Sequence, residues 1–260
     1  MKTPHSTKLE GYTFHAAALA AHFKFATNSE DDFGPEYTLG FRGQTQFKHH
    51  QKAKKHDHRG FSFAGGFVHV SAKQRRGGVY ETIARASLKN YQVKGKLTAD
   101  RLECGVMTVY REEWYSDPAR PKRARILPLP PVIEGLKICG QPFRLGKELE
   151  LPEPFRFSDA RRKQYFLGDE PEIEPVGISP APGRRLPTKD CGEIEISEDT
   201  RRITVPGFGI VNIADWMWLP PDIHTAPQTA QWVQLIGLEL KNPGNGGGSG
   251  AGGNGTPHGG

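Results

Sequence analysis

The sequence predicts an all-β protein, a sandwich or roll built on an antiparallel meander with one short helix. Three observations carry that reading. Phe67, His69 and Ser71 alternate with Val68, Val70 and Ala72, the period of two that a pleated strand imposes on a half-buried segment. Arg75-Arg76-Gly77-Gly78 follows, and paired glycines supply the positive φ angles of a tight hairpin. The runs 79–93 and 102–110 then flank a bend at Lys94-Gly95-Lys96, which completes the meander.

Around that centre the chain divides into three parts. Residues 1–60 read as a polar N-terminal arm and a basic loop. The arm closes on Ser29-Glu30-Asp31-Asp32, and residues 15–25 carry only a weak helical pattern. Residues 61–242 read as the β-rich domain. Within it, 118–131 is expected to be a solvated link. Ser158 caps a short helix running to Leu167, with Asp159 in its first turn and Arg161, Arg162 and Lys163 as helix formers. A Pro-rich excursion spans 170–190. Strands resume at Glu193 with IEI, then RRITV, then PGFGIVNIADWMWL, and the last is expected over 232–240, before Pro243. Residues 243–260, rich in Gly, Asn and Ser, are predicted to be a disordered tail, because they bring too little apolar surface to offset the entropy of ordering.

Leu88-Lys89-Asn90-Tyr91-Gln92-Val93-Lys94-Gly95 is echoed 45 residues later by Ile133-Glu134-Gly135-Leu136-Lys137-Ile138-Cys139-Gly140. Both place apolar residues first, fourth and sixth, Asn or Gly third, and Gly eighth. A fixed offset raises a short β-solenoid as the alternative architecture. Two copies do not establish a solenoid, and two similar strand–turn units within one sheet system are the plainer reading.

The formal net charge of +6 favours an anionic partner, nucleic acid among them. The densest cluster is KHHQKAKKHDHRG, where Lys48, Lys52, Lys54, Lys55 and Arg59 are candidate polyanion contacts. Arg120, Lys122, Arg123 and Arg125 form a second basic group. His56 and His58 flank Asp57 and share one face of an extended chain, so they are candidate metal ligands, although the neighbouring lysines repel a divalent ion. Trp216 and Trp218 also share a face if extended and are candidate aromatic contacts; covering a sheet edge is the plainer reading.

Cys104, Cys139 and Cys191 each precede glycine and show no CxxC spacing, which predicts reduced thiols at strand ends and turns. With no secretory signal pattern, the expected location is cytoplasmic, signal-independent export remaining open. No apolar run reaches membrane-spanning length. No cofactor is implied. The GxSxG, GxxxxGK[ST] and HExxH patterns are absent, and Gly207-Phe208-Gly209 lacks both the third glycine and the following helix of a dinucleotide fingerprint.

GGVYETIARASLKNYQVKGKLTADRLEC, IEGLKICGQPFRL and ITVPGFGIVNIAD together resemble a family of uncharacterised bacterial β-rich proteins. Its members carry a TADR strand, a GLxIxGxP strand and a PGFGxV strand in this order, here Thr98–Arg101, Gly135–Pro142 and Pro206–Val211. The pattern is more loosely similar to the secreted choice-of-anchor proteins. The resemblance spans about residues 61–240; it implies a β-rich domain and brings no catalytic residues with it. The functional expectation is therefore a non-catalytic structural or binding protein acting through self-assembly or a protein partner. Polyanion binding through the basic loops is the alternative, and a hydrolase built from scattered residues is the third reading.

Overall fold

In the computed structural model, which describes residues 9–25, 38–117, 124–145, 173–175, 184–197, 202–219, 230–241 and 244–259, the meander forms the centre of one of two antiparallel sheets. The strands begin with β1 (Leu9–Phe25), β2 (Thr38–Gly43), β3 (Phe47–Ala53), β4 (His56–His58), β5 (Phe61–Phe63) and β6 (Gly65–Arg75). Next come β7 (Val79–Val93), β8 (Leu97–Arg111) and the short helix α1 (Glu113–Ser116). The second half supplies β9 (Arg125–Glu134), β10 (Lys137–Ile138), β11 (Gln141–Leu145), β12 (Ile173–Pro175), β13 (Arg185–Thr188) and β14 (Gly192–Ile196). It ends with β15 (Arg202–Val205), β16 (Gly209–Leu219), β17 (Ala230–Leu240) and β18 (Gly244–Gly259).

The first sheet runs β13-β14-β15-β16-β17-β18-β1-β2. The second runs β12-β11-β10-β8-β7-β5-β4, with β6 between β7 and the edge strand β3, and with β9 on β8. Strands β1, β17 and β18 pack across β6, β7 and β8, giving an all-β sandwich whose sheets are not closed. Every strand pair described is antiparallel, so the chain does not coil as the solenoid alternative required.

The core lies where period-two alternation turns inward. Val68 and Val70 of β6, Ala84, Ala86 and Leu88 of β7, and Leu102, Cys104 and Val106 of β8 face Ala16, Ala18 and Ala251 of the other sheet, all of them buried. That last contact corrects two expectations. The N-terminal arm is not a detached polar segment, and residues 15–25 are not helical: β1 is an interior strand paired with β2 and β18. Alanine carries no two-residue signal of its own, so a strand buried under its partner sheet reads as a weak helix.

The glycine-rich tail is not disordered either. It is β18, seated between β17 and β1. Its order comes from backbone pairing on both sides, and its thinness lets the two sheets approach each other: a Cβ on Gly248 would lie 3.0 Å from Tyr91 Cε2 and 3.2 Å from Leu88 Cδ1. Ser249 Oγ donates to the Ala86 carbonyl at 2.9 Å across the sandwich, with Cys104 Sγ 3.5 Å away. Residues 118–123 of the expected link lie outside the described residues, whereas 125–134 form β9 against β8. The expected helix 158–167 also lies outside them. The helix that is described, α1, inserts Trp114 into a cluster of Tyr12, Phe14 and Tyr110 at one end of the sandwich.

The opposite end is built from turns. In the two echoed segments the same three positions take positive φ: Asn90 (51°), Lys94 (47°) and Gly95 (64°) match Gly135 (61°), Cys139 (51°) and Gly140 (77°). Asn90 and Gly135 reset strand alternation, and each pair that follows closes a hairpin with both central residues at positive φ, the signature of a type I′ turn. Arg59-Gly60 repeats the geometry between β4 and β5. The three turns lie side by side, tied by Lys94 N–H to the Gly60 carbonyl at 2.5 Å and Cys139 N–H to the Lys96 carbonyl at 2.6 Å. Cys139 in the third turn is joined by a disulfide to Cys191, in the turn between β13 and β14. Two of the expected reduced thiols are thus a covalent bridge between the sheets, and only Cys104 is a free, buried thiol. A separation of 52 residues hid that pairing, because the spacing that brings the two turns together is set by the sandwich and not by local sequence.

Candidate anion-binding groove

KHHQKAKKHDHRG does not fold as a loop. Residues 47–53 form an edge strand, β3, registered against β6, with His50 opposite His69, Lys52 opposite Phe67 and Lys48 opposite Ser71. Ala53 is buried and Phe47 half-buried, while the lysines stay exposed; with so little apolar alternation the stretch reads as solvated.

Across the outer face of the second sheet the register continues row by row. His69 lies opposite Arg85, and Arg85 opposite Gly105. Phe67 lies opposite Ser87, and Ser87 opposite Glu103; Lys89 lies opposite Arg101, and Arg101 opposite Glu134. Gly105 is the gap that admits Arg85, since a Cβ there would come within 3.0 Å of Arg85 Cγ. Around these rows the face presents Lys48, Lys52, Arg85, Lys89 and Arg101 against Glu103 and Glu134, while farther along the same face Lys73 and Arg75 pair with Glu81.

An open groove of about 630 Å³ runs through this face. His50 and Lys52 of β3 form one wall and Lys89 and Arg101 the other. The floor is small and polar: Ala64, Gly65 and Gly66 lie beside the buried hydroxyl of Ser87 and the carboxylate of Glu103. Phe67 stands at the β3 side with its ring stacked on His50 at 5.5 Å.

Glu103 organises the cations. It accepts from Arg101 Nη2 at 2.6 Å and forms a second, closer ion pair with Arg85. Burial alone raises its pKa, but the hydrogen bonds and charges of Arg101 and Arg85 outweigh that and hold the carboxyl below the usual carboxylate range. Glu134 also lies 3.8 Å from Arg101 Nη1, so the two guanidiniums and two carboxylates balance, and the net positive charge of the groove comes from Lys52 and Lys89. His69 is pushed below the ordinary histidine value, by burial first and then by the charges of His50, Lys48 and Arg85.

The sequence candidates scatter relative to this groove. Lys52 lines it, and Lys48 lies on the same strand face four residues away, beyond His50. Lys54 and Lys55 are exposed in the link between β3 and β4, and Arg59 sits in the β4–β5 turn. Arg120, Lys122 and Arg123 lie outside the described residues; Arg125 opens β9 opposite Val109. Trp216 and Trp218 fall on β16 of the first sheet opposite Val233 and Gln231, whereas the groove is carried by the second sheet. His56 and His58 do share one face of β4, with ring centroids 6.3 Å apart. No group of three His, Cys, Asp or Glu side chains is arranged around a metal position among the described residues. His56 stacks on Phe63 at 5.7 Å, and burial first, then the charge of His58, lowers its pKa.

Lys89, Arg101, Arg85 and Phe67 were missed by sequence reasoning, because each lies on a different strand from the basic run and only the register brings them beside it. The signal available was their outward phase: Phe67, Arg85 and Lys89 all fall on the non-apolar positions of strands whose alternation is clear.

No family model, curated protein or solved structure matches the chain. No helix among the described residues is long and apolar enough to cross a membrane.

Proposed function

We propose that the protein binds a polyanion along the outer face of its second sheet, with the groove between Lys52 and Arg101 as the contact. The observation that carries this is the registered set of cations drawn from three strands, β3, β7 and β8, around a shared carboxylate. A solvated charge run places lysines without a common geometry, whereas these side chains converge on one concavity. Fixed cations facing one way raise the local concentration of an anionic chain and neutralise its charges in place.

The edge strands support this reading over assembly by strand addition. β3 carries Lys48, His49, His50 and Lys52; β12 carries Pro175 and β13 carries Pro187. Lysine and proline on an edge oppose pairing with another chain. The self-assembly reading keeps one foothold in β2, a first-sheet edge strand without lysine or proline.

Titration with inorganic polyphosphate at low salt tests the proposal. The Lys52→Gln/Lys89→Gln chain is expected to bind at least about tenfold more weakly than the parent, from two lost charge contacts. Equal affinity in the two chains rules the groove out as the contact.

A further inference from the structure

We propose that the groove seats an acidic polysaccharide, a chain of sugar rings bearing carboxylates or sulfates; this assignment rests on the anion-binding reading above. Three observations select a sugar over a phosphodiester chain.

The first is the chemistry of the lining. A DNA phosphodiester backbone offers acceptors only and has nothing to donate to Glu103 on the floor. Glu103 spends one interaction on each oxygen with Arg101 and Arg85. An ionised carboxylate has about four lone-pair sites, so it can still accept from ligand hydroxyls. The buried Ser87 hydroxyl adds a second polar group to the floor. Sugar hydroxyls match these groups, and the acidic substituents match Lys52, Lys89 and Arg101.

The second is the single ring. Single-stranded nucleic acid is gripped by successive aromatic platforms on which bases stack. The groove contributes one phenyl ring, Phe67, with the His50 imidazole stacked on it, beside the small floor residues Ala64, Gly65 and Gly66, rather than a run of separate platforms. No helix or projecting two-stranded ribbon of the kind that enters a duplex groove borders this face among the described residues.

The third is the Cys139–Cys191 disulfide. Structural disulfides persist in oxidising compartments, outside the reducing cytosol. On this proposal the groove works outside the reducing cytosol, among extracellular polymers that include acidic glycans.

The test titrates the full chain, at one ionic strength, with polygalacturonate, heparin, inorganic polyphosphate and single-stranded DNA. Polygalacturonate and heparin are expected to bind at least about tenfold tighter than DNA of equal charge number, the size of one ring-stacking contact. Phe67→Ala is expected to remove about that factor from glycan binding and to leave polyphosphate unchanged. Phe67→Leu, which keeps apolar volume beside His50, is expected to behave the same way and separates loss of the ring from loss of the fold. DNA binding as tight as the glycans overturns the proposal and moves the ligand to nucleic acid within the same anion-binding reading. Polyphosphate binding as tight as the glycans, with no effect of Phe67→Ala, overturns it in favour of charge alone. Failure of all four probes removes both readings.

Discussion

His69 sits inside a ring of positive charge: Lys48 and His50 face it from β3 and Arg85 from β7, while Phe67 and Ser71 flank it on its own strand. Its folded pKa lies below the ordinary value near 6.5, so it is neutral at pH 7. The sign of the linkage follows. Protonation is harder in the folded chain than in the unfolded one, so His69 contributes stability above the ordinary histidine pKa, and that contribution is lost as pH falls through the folded value. An anion in the groove reverses the local field and favours the imidazolium. Affinity for a fully ionised sulfated probe is therefore expected to rise as pH falls from 7 to 5.5, by up to about tenfold per unit of pKa restored. His69→Gln is expected to flatten that profile, and a profile unchanged by the substitution refutes the coupling. At the same scale, Gly248→Ala places a methyl against Tyr91, Leu88 and Leu102, all of them fully buried. It is expected to cost about 1–3 kcal/mol, seen as a lower urea midpoint at unchanged m-value. Gly11→Ala, where nothing lies within 4 Å of the new Cβ, serves as the comparison and is expected to stay within about 0.5 kcal/mol.

The disulfide is an element-scale device, because it ties the β10–β11 turn of one sheet to the β13–β14 turn of the other. Lys96 Nζ supports the junction by donating to the Asp190 carbonyl at 2.8 Å. Closing a loop of 52 residues stabilises by about 4 kcal/mol on the chain-entropy account. Cys139→Ser/Cys191→Ser is expected to lower the unfolding free energy by about 2–5 kcal/mol, read from urea denaturation, while peptide mapping of the parent recovers the joined pair. Cys104 stays unreactive in the folded chain, since burial pushes its thiol up to about 12. Legibility divides along the same line. The β6–β8 meander, the Gly77-Gly78 turn and the echoed units were readable because alternation and turn chemistry are local. β1 and β18 were not, because alanine and glycine strands draw their order from neighbours on both sides. The bridge was hidden for the same reason. Within the groove, the basic wall of β3 was legible as charge, whereas Phe67, Lys89 and Arg101 joined it only through register.

At the scale of the whole molecule the question is whether the +6 charge acts as a diffuse field or through the groove. A diffuse field is screened over about 8 Å at physiological ionic strength and depends on total charge, not on where each cation stands. Localised contacts release a fixed number of counterions, so the logarithm of the binding constant falls linearly with the logarithm of salt. With Lys52, Lys89 and Arg101 as about three contacts to a single-stranded polyanion, the slope is expected near −2. A change from 50 to 200 mM salt then weakens binding by about fifteen-fold. Lys52→Gln/Lys89→Gln removes two of these contacts and is expected to shallow the slope by about 1.4. Replacing Lys54 and Lys55, which are exposed outside the groove, lowers net charge by the same two units. If position governs, that second variant keeps the parental slope; if the two double variants shift it equally, total charge governs and the groove has no privileged part in binding.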